Sequence, residues 1–176
     1  MARKNTYRLQ ISFVAAIVFL FRANPTLWSI VAGTVIMAIG EAIRFASAGT
    51  ITKYKAVAST GIYSCSRNPL YVGSFIIGAG ACVMGRDPWF ALFFIMAFPL
   101  MYYRIINREE KFLTTRYGEE YLSYKRTVSR LWSGKLPIGE IIRCYSHPLA
   151  MKNKEYEALM GIFAVIVFML VKLYIF

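Results

Sequence analysis

Long stretches without charged side chains recur along this chain and constrain its fold more than any other feature. They are Leu9–Phe21, Ala23–Gly40, Asn68–Gly85, Pro88–Tyr103 and Ala158–Val171. Several are shorter than the ~20 apolar residues that cross ~30 Å of hydrocarbon. Flanking residues must extend them, and the long side chains of Arg22 and Lys172 can reach from a helix end to the interface. The sequence therefore predicts an all-α polytopic membrane protein with about five transmembrane helices.

The composition agrees with a bilayer location. Of the 176 residues, 57% are hydrophobic and 17% are charged, whereas a soluble domain has about 25% charged residues. A single membrane domain is predicted over residues 1–176, and it divides into an N-terminal helical hairpin (1–44), a central region (45–132) and a loop with the last helix (133–176). The hairpin turn is expected at Arg22–Pro25, because Asn-Pro marks a tight connection.

The basic residues indicate an orientation. With five spans, the N-terminus and the segments 44–67 and 104–157 lie on one side of the membrane, and they hold 18 of the 21 Lys and Arg residues. The positive-inside rule makes that side cytoplasmic and places the C-terminus on the opposite side. The net charge of +12 is explained by a basic rim that faces anionic lipids, so no nucleic-acid partner is expected.

Two polar segments interrupt the apolar runs on the basic side. The first, 45–67, is rich in Gly, Ser and Thr, and leads to Asn68 as a plausible N-cap and Pro69 in the first turn of the third span. A helix start of this kind carries partial positive charge and free amides that suit an anion. The glycines of that span are expected to permit close helix packing, except Gly73, which lies near a ligand because it is one turn from the helix start.

The second polar segment is predicted to continue the fourth span as a helix to about Arg130. Glu109 and Glu110 stand within about two turns of the apolar residues 98–103, where an unpaired carboxylate is costly. A protein cation or a ligand ammonium is therefore expected beside them. In the second span, Glu41 and Arg44 form an i,i+3 pair that is either functional or structural.

Metal chemistry is not expected. His147 is the one histidine, it precedes a proline in a loop, and no His/Cys cluster accompanies it. No protein partner is predicted.

Two motifs carry a resemblance to a known family. They are Gly61-Ile62-Tyr63-x3-Arg67-Asn68-Pro69-Leu70-Tyr71-x-Gly73 and Glu109-Glu110-x2-Leu113-x3-Tyr117-Gly118-x2-Tyr121-x2-Tyr124-x5-Arg130-Leu131. The chain from about Gly40 to Trp132 resembles the integral-membrane methyltransferases that include isoprenylcysteine carboxyl methyltransferases and phospholipid N-methyltransferases.

This resemblance implies an S-adenosylmethionine-dependent enzyme with a lipophilic acceptor, in which 45–132 is the cofactor-binding and catalytic region at the cytoplasmic helix ends. The residues assigned to the cofactor are Gly61, Ile62, Tyr63, Arg67, Asn68, Pro69, Tyr71, Gly73, Glu110, Tyr121 and Tyr124. The assigned catalytic residues are Arg104, Glu109 and Glu110. S-adenosylhomocysteine is the product expected from the cofactor.

The chemistry of these residue types agrees with that assignment. Glu109 or Glu110 can bind an α-ammonium, Arg67 with the helix start at Asn68-Pro69 can bind a carboxylate, and tyrosines can contact adenine or ribose. No G-x-G-x-x-G follows a strand, so a soluble methyltransferase fold is not expected. A carboxylate or thiolate acceptor needs only neutralisation, for which Arg104 is the nearest cation, whereas an amine acceptor needs a base such as Glu109 or Glu110.

Arg104 departs from the family pattern. The family commonly places an arginine four residues before the paired glutamates, but Arg104 is five residues before Glu109, which turns the two side chains about 140° apart on a regular helix. Arg104 is therefore either a membrane anchor or is returned to that face by a π-bulge.

The acceptor is not specified by these motifs. An isoprenylcysteine-type carboxyl methyltransferase is the closest reading, and a phospholipid N-methyltransferase is the alternative. Rivals from other classes are a sterol-reductase-like oxidoreductase and a non-catalytic membrane interaction protein.

Overall fold

A computed structural model describes residues 15–52 and 56–175, and every regular element in those ranges is a helix. The elements are α1 (15–22), α2 (Leu27–Ala48), a 3₁₀ helix (Gly61–Ser64), α3 (Pro69–Gly85), α4 (Pro88–Tyr117), α5 (Glu119–Thr127), α6 (Ile138–Cys144), α7 (His147–Lys152) and α8 (Tyr156–Ile175).

Helices α2, α4 and α8 are each long and apolar enough to cross a bilayer. Helix α3 is apolar but shorter, with 17 residues. The first predicted span, Leu9–Phe21, lies only partly within the described residues, which are helical from residue 15. The prediction of an all-α polytopic membrane protein is confirmed.

The predicted hairpin turn separates α1 from α2. Helix α2 begins later than the apolar run suggested, because Thr26 caps it and exchanges hydrogen bonds with Ser29. Arg22 was expected to reach from a helix end to the interface, and the structure also gives it a partner. Its guanidinium pairs with Asp87, which also accepts bonds from the first amides of α4, so the α1 end and the α4 start are tied together.

Glycines allow α2 and α3 to pack closely. A Cβ atom on Gly33 would lie 2.6 Å from the carbonyl oxygen of Gly80, and a Cβ on Gly80 would lie 2.7 Å from that of Gly33. Both distances are too short for a side chain. A Cβ atom on Gly78 would likewise meet the ring of Phe94, and a Cβ atom on Gly85 would meet the ring of Phe19. The prediction of close packing along α3 is confirmed.

Gly73 belongs to this packing as well. Its Cβ would lie 2.6 Å from the carbonyl oxygen of Gly40 and 2.6 Å from Cγ of Arg44. Helix α2 therefore fills the space beside Gly73, which corrects the expectation that a ligand lies there.

The helix that leaves the bilayer is broken. The sequence predicted one helix from the fourth span to about Arg130, but α4 ends at Tyr117 and α5 starts at Glu119. Gly118 between them has φ +54° and ψ −127°, a conformation that disfavours other residues. The break redirects the chain so that α5 and the loop after it return toward the start of α3.

Candidate cofactor and methyl-transfer site

Glu110 is the centre of the polar region between the two motifs. It is 4% exposed, although it is charged and lies on α4. Its Oε1 accepts hydrogen bonds from Nη2 of Arg67 at 3.0 Å and from Nε of Arg130 at 3.2 Å, and its Oε2 accepts one from Nη2 of Arg130 at 2.8 Å. Nζ of Lys125 lies 3.5 Å from Oε2. Three cations therefore compensate one buried carboxylate.

Backbone bonds hold the loop after α5 against the first motif. The amide of Arg67 donates to the carbonyl of Ser129 at 3.0 Å, and the amide of Ser133 donates to the carbonyl of Cys65 at 2.9 Å. Nη1 of Arg67 donates to the carbonyls of Lys125 and Val128 at the end of α5. The Arg67 side chain is therefore held between Glu110 and the carbonyl groups at the end of α5.

Asn68 contributes to the same joint. It occupies the N-cap position of α3, but its side chain does not cap the helix. Its Nδ2 instead donates to the carbonyl of Arg130 at 3.0 Å, while its amide donates to Oγ of Ser66. Pro69 follows in the first turn of α3 and is fully buried. Asn68 thus orients the residue that supplies two of the bonds to Glu110.

Glu109 differs from its neighbour. Its side chain is exposed, and its Oε1 accepts a hydrogen bond from the phenol of Tyr71 at 2.7 Å. The Tyr71 ring packs edge-on against Tyr102 of α4, with centroids 4.9 Å apart. This pair is a second link between the motifs, and it leaves the carboxylate of Glu109 accessible.

Three other tyrosines of the motifs are buried inside the protein. Tyr63, Tyr121 and Tyr124 are 5%, 2% and 8% exposed, and the phenol of Tyr124 donates to the carbonyl of Tyr63 at 2.7 Å. Burial raises the pKa of Tyr121 to about 12 and those of Tyr63 and Tyr124 further. These phenols stay protonated at neutral pH, and the bond from Tyr124 holds α5 to the 3₁₀ helix.

Gly61 and Ile62 have packing roles. The amide of Gly61 donates to Oε1 of Glu140 on α6 at 2.9 Å, and its φ of +59° favours glycine. Ile62 is 2% exposed. The bond from Gly61 ties the 3₁₀ helix to α6.

Arg104 stands apart from the charge cluster. Helix α4 is α-helical throughout residues 88–117, with no π-bulge between Arg104 and Glu109. Arg104 is exposed and forms no ion pair with any described residue. Of the two alternatives that its offset left open, the structure has the regular helix, which favours a membrane anchor.

Arg130, at the end of the second motif, pairs with Glu110. Bonding to Glu110 raises the pKa of Arg130, and its guanidinium lies 5.7 Å from the ring centroid of Tyr103. Arg130 is the last arginine of the second motif, so the sequence did draw it into the candidate region. It is 20 residues from Glu110, and no helix periodicity predicts that the two side chains meet.

Two buried polar atoms in residues of the motifs have no hydrogen-bond partner among the described residues. They are Nε of Arg67 and the phenol oxygen of Tyr117. Buried groups of this kind usually have a partner.

Comparison with known proteins gives a consistent result. A family model described as phospholipid methyltransferase matches residues 14–120. A protein-S-isoprenylcysteine O-methyltransferase of Saccharomyces cerevisiae is 35% identical over 69 residues, which cover 39% of this chain and 29% of that protein. The chain therefore matches less than a third of the length of that relative. No solved structure matches significantly.

Proposed function

Because this chain belongs to the phospholipid methyltransferase family, we propose that it transfers a methyl group from S-adenosylmethionine to a lipophilic acceptor in the membrane. The observation that carries the proposal is the meeting of the two motifs, through Arg67 with Glu110 and through Tyr71 with Glu109. Residues far apart in sequence thereby form one polar site beside apolar helices.

The residues present fit S-adenosylmethionine. Its α-ammonium needs an accessible acid, and Glu109 is exposed, whereas Glu110 is already surrounded by three cations. Its carboxylate needs positive charge, and the three cations around Glu110 leave a local excess of two charges. The unpaired Nε of Arg67 is a donor within that excess. We therefore assign the ammonium to Glu109 and the carboxylate to Arg67 and the start of α3.

Glu110 then has a positioning role. It aligns Arg67 and Arg130 without contacting the cofactor itself, and this assignment replaces the expectation that Glu110 binds the ammonium. The phenol of Tyr71 orients Glu109, and its ring supplies an aromatic face for the adenine or ribose.

The bound cofactor supplies an activated methyl group. The protein has to hold the acceptor in line with it and exclude water, and positioning of this kind contributes ~7–11 kcal/mol to lowering a barrier. A carboxylate acceptor is neutralised by Arg130, which is part-exposed at the edge of the cluster. An amine acceptor needs a base, and Glu109, which is assigned to the ammonium of the cofactor, is not available for that role.

The acceptor class is proposed from the comparisons. The similarity to the yeast protein supports an isoprenylcysteine-type carboxyl acceptor, and the family model supports a phospholipid amine. In both cases the acceptor is membrane-borne, and the exposed apolar faces of α4 support a site at a lipid boundary.

We further propose that the site faces the cytoplasm. Arg22 and Lys172 lie together at the opposite end of the protein, because Arg22 pairs with Asp87 and Nζ of Lys172 donates to the carbonyls of Leu20 and Phe21. Most basic residues belong to the end that carries Glu110, and that distribution favours a cytoplasmic location.

Calorimetric titration of the purified protein with S-adenosylhomocysteine tests the cofactor. We expect saturable micromolar binding, which weakens at least tenfold in Glu109→Gln and is unchanged in the exposed control Glu119→Gln. Absence of binding by folded protein would refute the proposed function and favour a non-catalytic membrane protein.

A further inference from the structure

An exposed apolar surface lies outside the spanning helices, on residues 131–145 between α5 and α7. Its large exposed side chains are Leu131, Leu136, Ile138, Ile142 and Tyr145. Ile138 and Ile142 are 60% and 69% exposed, and they lie one turn apart on the same face of α6. A contiguous exposed apolar surface of this kind marks a contact with a partner or a membrane.

The opposite face of α6 is attached to the first motif. Oε1 of Glu140 accepts a hydrogen bond from the amide of Gly61 at 2.9 Å. A Cβ atom on Gly61 would lie 3.0 Å from Cβ of Cys144, so the two backbones are close. These contacts determine which face of α6 points outward, and they leave Ile138 and Ile142 on that face.

Both ends of the 131–145 segment are attached near the ends of spanning helices. Before the segment, the guanidinium of Arg130 lies 5.7 Å from the ring centroid of Tyr103, which precedes Arg104 in α4. After it, the amide of Ser146 donates to the carbonyl of Gly49 at 3.0 Å, and Gly49 is the C-cap of α2. Helices α2 and α4 are each long and apolar enough to cross a bilayer. The segment therefore runs beside the membrane boundary.

The outward charges of this segment are positive. Lys135 and Arg143 are exposed and form no ion pair with any described residue. Glu140 is the one acid among residues 131–145, and its bond to Gly61 turns it inward. A surface that combines apolar side chains with unpaired cations complements an anionic membrane interface in both polarity and charge.

We propose that the 131–145 segment docks on the surface of an anionic membrane. Ile138 and Ile142 insert between the lipid headgroups. Lys135 and Arg143 bind anionic headgroups beside them. Each Lys or Arg near an anionic surface strengthens such binding about fivefold, so the two cations together favour an anionic membrane over a neutral one.

Docking of this segment also steadies the first motif. Glu140 holds the amide of Gly61, and the amide of Ser133 donates to the carbonyl of Cys65 at 2.9 Å. Both ends of the 3₁₀ helix are therefore attached to the docked segment. The docking requires no methyl transfer, so the proposal does not rest on the proposed function.

Hydrogen–deuterium exchange of the full chain measures the docking without any cofactor. The protein is placed as one copy per nanodisc in phosphatidylcholine or in phosphatidylglycerol with identical acyl chains. Exchange of α5 is the internal reference, because it corrects for the lower pH at an anionic surface. Relative to α5, we expect the amides of α6 to exchange at least about fivefold more slowly in phosphatidylglycerol, the contribution of one basic residue.

A double variant with matched charge tests the two cations. Lys135→Gln combined with Arg143→Gln should abolish the difference between the lipids. Arg126→Gln combined with Lys152→Gln is the control, since it removes two exposed cations from the last turns of α5 and α7. The control variant should keep the difference.

Equal exchange of α6 in the two lipids would overturn the proposal on the wild-type protein alone, even if the variants do not fold. A difference that persists in the folded Lys135→Gln, Arg143→Gln variant would also overturn it, because other charges would then be responsible. Slow exchange that appears only when a nanodisc holds two copies would assign the apolar face to a second copy instead of the membrane.

Discussion

Nη2 of Arg67 lies 3.0 Å from Oε1 of Glu110, and this buried ion pair joins two sequence segments that are 43 residues apart. Both side chains are almost fully buried. The pair places the start of α3 beside the membrane-proximal turn of α4, where Tyr71 reaches Glu109. The arrangement of the candidate site therefore depends on an interaction that is shielded from water.

Removing Glu110 should damage both stability and cofactor binding. Glu110→Ala leaves Arg67, Arg130 and Lys125 without their shared carboxylate, and breaking a buried pair costs ~3–5 kcal/mol. We expect a lower thermal midpoint and weaker S-adenosylhomocysteine binding, measured on the same sample. Glu119→Ala removes an exposed acid at the start of α5 and should change neither. Equal binding losses in both variants would show that a general acidic surface, not this cluster, is responsible.

Glu109 should affect binding without affecting the fold. Glu109→Gln keeps the acceptor for Tyr71 and removes the charge, so the thermal midpoint should stay constant while binding weakens about 10- to 100-fold, the value of a charged hydrogen bond. Tyr71→Phe should cause a smaller loss, because it frees the carboxylate but keeps the ring. Unchanged affinity in Glu109→Gln would move the ammonium site elsewhere.

Arg104 and Arg130 should respond differently to the same substitution. Lysine keeps the positive charge and loses the planar guanidinium that makes two bonds to Glu110. Arg130→Lys should therefore reduce turnover, whereas Arg104→Lys should leave it within about twofold, since an exposed charge at the interface is retained. A strong loss in Arg104→Lys alone would restore the role that the family pattern gives to this arginine.

Gly73 provides a test of helix packing. Gly73→Ala places a methyl group against the Gly40 carbonyl and should destabilise the protein by ~1–3 kcal/mol. Gly161→Ala is the matched control in α8, where a Cβ meets nothing within 4 Å, and a slight gain in stability is expected there. Thermal unfolding in one detergent measures both. A neutral Gly73→Ala would contradict the close approach of α2 and α3.

The sequence predicted the helices better than their ends. Apolar runs identify α2, α3, α4 and α8 because a bilayer requires internally bonded segments of sufficient length. The break at Gly118 was missed, since the polar and apolar residues on both sides are compatible with one continuous helix. A single glycine within a helical pattern does not distinguish a tolerated residue from a terminus.

Sequence patterns predicted some residues of the site and missed others, because periodicity does not describe irregular segments. Arg67 and Glu110 belong to the two motifs, which identified them as candidate site residues. Their proximity could be predicted because both motifs lie on the same side of the membrane. The cations Lys125 and Arg130 were not assigned, because α5 and an irregular loop position them and no periodicity relates them to Glu110. The tyrosines were predicted as ligand contacts from the resemblance and from their chemistry, neither of which gives their burial: Tyr71 is half-buried, and Tyr121 and Tyr124 are internal.

The most direct measurement is transfer of a labelled methyl group from S-adenosylmethionine to lipid. Purified protein in bilayers of membrane lipids, supplied with a lipidated cysteine carboxylate in a parallel sample, is incubated with the cofactor, and the organic-soluble label is counted. We predict time-dependent labelling of one of these acceptors by the wild-type protein and a large reduction in Glu109→Gln. Folded protein that binds S-adenosylhomocysteine but labels neither acceptor would contradict a lipophilic acceptor, and folded protein that neither binds nor transfers would contradict the proposed methyltransferase activity.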